Sequence, residues 1–212
     1  MEDIRLIIFD LDGTLIDAYS AIEKSFNFTM KKMGYPPKDP LTIRKAVGWG
    51  DNNLLKGFVN KSDLAQALSL YRKHHQASLL KYSHLFNNSK KILKHLKGNG
   101  YKLAVASNRP TKFSNILIRH LGIKKYFDYC LCADKLKHGK PNPEILNKIT
   151  KKFSFKKKSV LYVGDMAIDA QAGRRAKIKT IIVTTGSSTK TEIRKEKPYY
   201  ITRSLLYFLK VL

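Results

Sequence analysis

Short apolar runs rich in β-branched or aromatic residues recur along the chain at Leu6–Phe9, Leu103–Ala106, Tyr129–Cys132, Val160–Val163 and Thr180–Val183. Runs of this length predict strands. Helical stretches separate most of them. Ser89–Leu96 opens at "NNSK", an N-cap signal, and stops at "KGNG". Thr111–Leu121 stops at Gly122, and "KPNPEILNKITKK" sets proline near a helix start and lysine in the last turn. Ile168–Ala176 follows "VGDM". Alternation of this kind predicts an α/β fold, a Rossmann-like, doubly wound parallel sheet with helices on both faces. No internal repeat interrupts it.

One interval breaks the rhythm. About ninety residues separate the first strand from the second, far more than a crossover between parallel strands needs. Within it Ser20–Lys32, Leu41–Val47 and Ser62–Tyr82 read as helices, punctuated by Gly34, Pro36, Pro37 and Gly48. The expected organisation is therefore a core of residues 1–17 and 85–212, with a small all-helical insertion, residues 18–84, over the C-terminal end of the first strand. Open α/β sheets bind ligands at that edge, so the insertion is a candidate lid.

Composition adds a large charge. The 212 residues carry 41 Lys plus Arg against 16 Asp plus Glu, a formal charge of +25. Of the basic residues 32 are Lys and 9 are Arg. Base-reading proteins lean on Arg, so this excess of Lys reads as a solvated surface rather than as specific nucleic-acid recognition. The one dense run is "KKFSFKKK", Lys151 to Lys158. Cys130 and Cys132 fall on one face of a strand and are expected as free thiols, a usage that suits a reducing compartment. The N-terminal "MEDIRLIIF" carries acids where a signal peptide needs positive charge. No stretch approaches the ~18 apolar residues of a membrane span. A soluble, cytoplasmic protein without membrane attachment, monomer or homodimer, is the expectation.

Against this basic background the stretch "IIFDLDGTLID" places Asp10, Asp12 and Asp17 just after the first strand. Three further stretches place polar groups at strand ends: "ASN" (Ser107, Asn108), "GKPNP" (Lys140) and "VGDMAID" (Asp165, Asp169). In a parallel sheet these ends converge on one crevice. Carboxylates held close repel one another unless a divalent cation compensates them. Mg²⁺ suits all-oxygen ligands, one or two carboxylates with waters and a phosphate, and Asp10 with Asp165 fits that description. The Ser107 hydroxyl and the Lys140 ammonium suit phosphoryl oxygens. A carboxylate can also act as nucleophile and form an aspartyl-phosphate, while a second carboxyl supplies a proton to the departing alkoxide.

"DLDGT", "SN", "GKP" and "GDMAID", in that order, resemble the motifs of the haloacid dehalogenase superfamily in its phosphatase branch. The resemblance implies that Asp10 is the nucleophile and Asp12 the general acid/base. It implies that Ser107 and the backbone near Asn108 bind the transferring phosphoryl group, with Lys140 stabilising its charge. Asp165 would hold Mg²⁺ beside Asp10 and the main-chain carbonyl of Asp12, with Asp169 supporting the metal site or orienting Lys140. A carboxylate at position 12 separates the chain from the dehalogenases proper. The helical insertion resembles the family's small cap, and "DLDGTLIDA", "VGWG", "ASNRP" and "KPNPEIL" look closest to the phosphoglycolate phosphatase group. A small phosphorylated metabolite is the implied substrate. A mutase of the β-phosphoglucomutase type shares the motifs, and a nucleic-acid end-processing phosphatase or polyanion-binding protein would use the charge.

Other residues read more plainly. Asp17 suits a helix cap. His74, His75 and His138 lack metal-ligand spacing and read as surface or cap residues. Trp49, in "GWGD", reads as packing, with substrate contact as the alternative. Arg44, near Gly48 in "TIRKAVGWG", offers a fork for a substrate carboxylate, and Arg44, Gly48 and Trp49 form the candidate specificity set.

Overall fold

The structure is a computed structural model that describes residues 3–211; Met1, Glu2 and Leu212, the outermost ends of the expected core segments, lie outside it. Among the described residues the main sheet has the order β5-β4-β1-β6-β7-β8, and every pairing in it is parallel. The strands are β1 (Leu6–Phe9), β4 (Lys102–Ser107), β5 (Tyr129–Cys132), β6 (Val160–Gly164), β7 (Lys179–Val183) and β8 (Tyr200–Thr202). β1 sits centrally, with Phe9 opposite both Val105 and Val163.

Burial explains the continuous apolar runs. Ile7 and Phe9 enter a cluster on one face of the sheet, whereas Leu6 and Ile8 enter another on the opposite face. A strand covered on both faces has no polar side to show. The second cluster is closed by α7 (Glu144–Lys152) and α8 (Ala167–Ala176), through Ile145, Leu146, Ile149, Ala172 and Ala176. The first is closed by α5 (Ser89–Gly98), α6 (Thr111–His120) and α10 (Leu205–Val211), and it continues into the insertion. Helix α9 (Lys190–Lys195) starts with a reciprocal cap between Thr189 and Glu192.

The insertion is helical: α1 (Tyr19–Lys32), α2 (Pro40–Ala46), α3 (Asp51–Lys56) and α4 (Leu64–Tyr82). The chain leaves the core through β2 (Ile16–Asp17) and returns through β3 (His84–Leu85), and these two strands pair antiparallel. Asp39 caps α2 by accepting the Thr42 N–H, with Pro40 in the first turn. Asp17 accepts the Tyr19 N–H at the start of α1. Of the strands, β2, β3 and β8 carry no apolar run long enough to predict them, and α3, "DNNLLK", is too short and polar to show a period. Cys130 and Cys132 are free, and Cys132 Sγ donates to Ser114 Oγ at 3.3 Å.

Candidate active site

The C-terminal strand ends do converge. Asp10 directly follows β1, and its N–H still donates to the Val163 carbonyl at 2.9 Å, so the backbone there is held by the sheet ladder. Beyond it the Leu11 carbonyl accepts the N–H groups of Leu15 and Ile16 in a tight turn through Gly13, whose φ is 79°. Ser107 ends β4, Asp165 follows β6, and Lys140 lies in the loop between β5 and α7.

Lys140 ties the cluster together. Its Nζ lies 2.8 Å from Asp10 Oδ1 and 2.8 Å from Asp169 Oδ1, and it donates to the Tyr162 hydroxyl at 3.1 Å. Burial alone would depress its pKa, but the two carboxylates outweigh that and hold it above its ordinary value. Asp169 is fully engaged. One oxygen accepts Lys140 and Tyr162, and the other accepts the backbone N–H groups of Asp165 and Met166. Its place is therefore to orient Lys140 and to fix the turn that carries Asp165.

Carboxylate oxygens of Asp10, Asp165 and Asp169 lie within 4.8 Å of one another, all buried. Burial, reinforced by neighbouring acids and opposed by Lys140, pushes Asp10 up to about 7. Burial, with Asp169 and Asp10, pushes Asp165 well above the usual carboxylate range. Asp165 Oδ1 accepts the Thr14 hydroxyl, whereas its Oδ2 is buried with no hydrogen-bond partner. A Cβ at Gly13 would lie 2.1 Å from that oxygen and one at Gly186 2.0 Å, so these glycines leave the space beside it open. An unpartnered buried carboxylate oxygen, beside a second carboxylate with a raised pKa, fits a divalent cation. With Asp169 already saturated, Asp10 and Asp165 are the carboxylates of this cluster left to hold one.

The Asp12 side chain is not idle. Arg109 Nε donates to its Oδ2 at 2.8 Å and Arg109 Nη2 to its Oδ1 at 2.7 Å, a two-pronged pair with both partners largely buried. The third branch, Nη1, meets His75 Nε2 of α4 at 2.8 Å. His75 must therefore present an unprotonated Nε2, and its Nδ1 faces Ser25 Oγ, which itself donates to the Ala21 carbonyl. Burial and the adjacent Arg109 lower His75 to about 2, so it is neutral. Arg109 was not singled out in the sequence, although it stands directly after "SN". His75 is a residue of the helical insertion as expected, but a buried one, 2% exposed and turned to the site.

The remaining candidates separate into two groups. The Asn108 side chain is a clamp: Nδ2 donates to the carbonyls of Gly48 and Lys140, and Oδ1 accepts the Lys140 N–H. Gly48 thus joins the insertion to the core at the site's edge. Trp49 is half exposed, beside Asn53 and His138 in a shallow outer depression. Arg44 stacks over the Tyr19 ring at 4.1 Å with its Nε 3.9 Å from Glu23, and it is not among the residues lining the cavity between insertion and core. That cavity, about 60 Å³, is lined by Asp10, Asp12, Ser107, Arg109 and Lys140 from the core, with apolar side chains, Asp51, Tyr71 and His75 from the insertion.

Comparison with known proteins places the chain in a family. The sequence model of the haloacid dehalogenase-like hydrolases matches residues 7–183. The phosphoglycolate phosphatase of Vibrio parahaemolyticus is 31% identical over 220 residues, 99% of this chain and 96% of the relative. That of Aquifex aeolicus is 31% identical over 182 residues, 86% of this chain and 85% of the relative. A crystal structure described as a predicted phosphoglycolate phosphatase from Haemophilus somnus superposes with a TM-score of 0.93 at 27% identity, covering 100% of this chain and 99% of that one. No helix among the described residues is long and apolar enough to cross a membrane. The chain belongs to the haloacid dehalogenase-like hydrolases and is a phosphatase of that family.

Proposed function

We propose that the protein is a Mg²⁺-dependent phosphomonoesterase working through a phosphoryl group carried on Asp10, with a small carboxylate-bearing phosphomonoester such as phosphoglycolate as substrate. The carrying observation is the buried Asp10–Lys140–Asp169 cluster beside the unpartnered oxygen of Asp165. The named relatives support the choice of substrate.

In this reading an Asp10 carboxylate oxygen attacks phosphorus, and the bond from phosphorus to the ester oxygen breaks. Asp12 in its acid form gives its proton to the departing alkoxide. Water then attacks phosphorus, the acyl-phosphate bond breaks to regenerate Asp10, and Asp12 takes the water's proton. Ser107 donates its hydroxyl to a phosphoryl oxygen, and Lys140 holds Asp10 in place while offsetting the gathering negative charge. When bound by Asp10, Asp165 and the Asp12 carbonyl, Mg²⁺ would neutralise phosphoryl oxygens and keep Asp10 ionised. The insertion, clamped by Asn108 on Gly48, shields the acyl-phosphate until the alcohol has left.

Asp10→Asn is near-isosteric and should lower hydrolysis of p-nitrophenyl phosphate in Mg²⁺ by more than about a thousandfold, leaving the circular dichroism spectrum unchanged. Turnover by this variant at a rate near that of the wild type would overturn the assignment.

A further inference from the structure

We propose that Arg109 is the receptor for the substrate's carboxylate, and that the substrate claims it by displacing Asp12. The inference rests on the phosphomonoesterase reading above and adds to it the residue that selects the substrate and couples selection to turnover.

The cavity supplies few cations. Its insertion side offers no free cation: Ile22, Val47 and Leu54 are apolar, His75 is neutral, and Asp51 is already paired with Arg72. Lys140 is held between Asp10 and Asp169, so Arg109 is the one cationic side chain among the described lining residues left for a second anionic group. Its fork already holds a carboxylate by two prongs at 2.7 and 2.8 Å, the geometry a planar substrate carboxylate would reproduce. It is also correctly placed. The Arg109 N–H donates to Ser107 Oγ at 3.1 Å, which puts the guanidinium's own backbone beside the group assigned to the phosphoryl. His75 holds the third branch, so the fork is fixed before substrate arrives.

The exchange is balanced. Burying a new carboxylate without a partner would be costly, and so would leaving Arg109 bare. When one carboxylate replaces another on the same fork, the number of ion pairs at Arg109 is conserved. What changes is Asp12. In the structure its side chain is clamped as a carboxylate away from general-acid work; the substrate's carboxylate releases it, and the freed carboxylate, no longer paired, takes a proton from solvent and carries it to the leaving oxygen. A phosphomonoester without a carboxylate leaves the clamp closed. The substrate's remote group therefore acts on kcat as well as on KM, as expected when remote binding is used to assemble the reacting groups.

The test compares phosphoglycolate with 2-hydroxyethyl phosphate, which matches it in size but carries no carboxylate, and with ethanediol bisphosphate, whose second anion is a phosphate. Wild-type, Arg109→Lys and Arg109→Gln proteins are assayed with Mg²⁺. Wild type should favour phosphoglycolate by about 100-fold in kcat/KM, the order of one charge-assisted bidentate contact, with at least about tenfold of it in kcat. In Arg109→Lys, which keeps the charge and loses the fork, the preference should shrink to within about tenfold. Wild type showing no preference, a preference confined to KM, or a preference for the bisphosphate would overturn the proposal. So would a preference undiminished in Arg109→Lys, or an equal loss on both monoesters in Arg109→Gln, the mark of a merely structural role. Should the variants fail to fold, the wild-type comparison alone decides. Measurable hydrolysis of 2-hydroxyethyl phosphate by wild type supports the phosphomonoesterase reading whatever the preference; failure on every substrate would remove both.

Discussion

His75 is a buried histidine facing Arg109, with His74 and the Tyr71 ring beside it. Its pKa in the folded protein, about 2, lies below the ordinary 6.5, so between those values the unfolded chain binds a proton that the folded chain refuses. Stability from this group is complete above about pH 6.5 and is lost as pH falls below it. The loss by pH 5.5 is on the order of 1 kcal/mol. His75→Gln keeps an acceptor for Arg109 but cannot titrate. Urea unfolding at pH 7.5 and 5.5 should show a difference between wild type and His75→Gln that widens by about that amount in acid; parallel behaviour would contradict the prediction. At this scale Asp10, Ser107 and Asp165 were legible because each stands at the end of an apolar run, where a parallel sheet gathers ligands, and Lys140, in the loop beyond β5, only by its place before "PNP". Arg109 was not, since its partners Asp12 and His75 lie 97 and 34 residues away and no local period links them. Arg44, readable as a fork near the first cap turns, stacks on Tyr19 instead.

At the level of elements, the strands that sequence displays are those with an apolar run of at least four residues; β8, three residues at the sheet edge with Tyr200 exposed, is too short to show. The β2–β3 pair is legible only once the chain is closed, because its register joins Ile16 to Leu85 across the whole insertion. Helices α1 and α4 were legible from their length, and their packing carries the insertion. Phe26 of α1 is fully buried and meets Phe58 edge-on at 5.0 Å between ring centres. Phe26→Ala removes that ring from a close-packed interface and should cost about 3–4 kcal/mol, a lower urea midpoint at unchanged slope. A loss below about 1 kcal/mol would mean that the insertion repacks freely around α1. Since α4 carries His75, this packing also sets the angle from which Arg109 is supported.

Taken whole, the molecule keeps its densest lysine run away from its chemistry. Lys156, Lys157 and Lys158 are exposed and precede β6, at the end of the sheet opposite Asp165. The dense lysine run therefore borders no part of the catalytic cavity, which argues against a nucleic-acid terminus as substrate. The hydrophobic interior is arranged differently. A single cluster includes Ile7 and Phe9 of the central strand, Phe113 of α6, and Phe26, Ile43, Leu55 and Tyr71 of the insertion. The edge-on contact of His75 with Phe113 lies on the seam. Independently stable units each own a separate core, and here sheet and insertion share one. Heat should accordingly melt both together: scanning calorimetry should record one endotherm, with van't Hoff and calorimetric enthalpies in a ratio near one. Two resolved endotherms would mean that the insertion melts on its own. If there is one, a lid that opens for product release can do so only by a small hinge at β2 and β3, because wider separation would amount to the first step of denaturation.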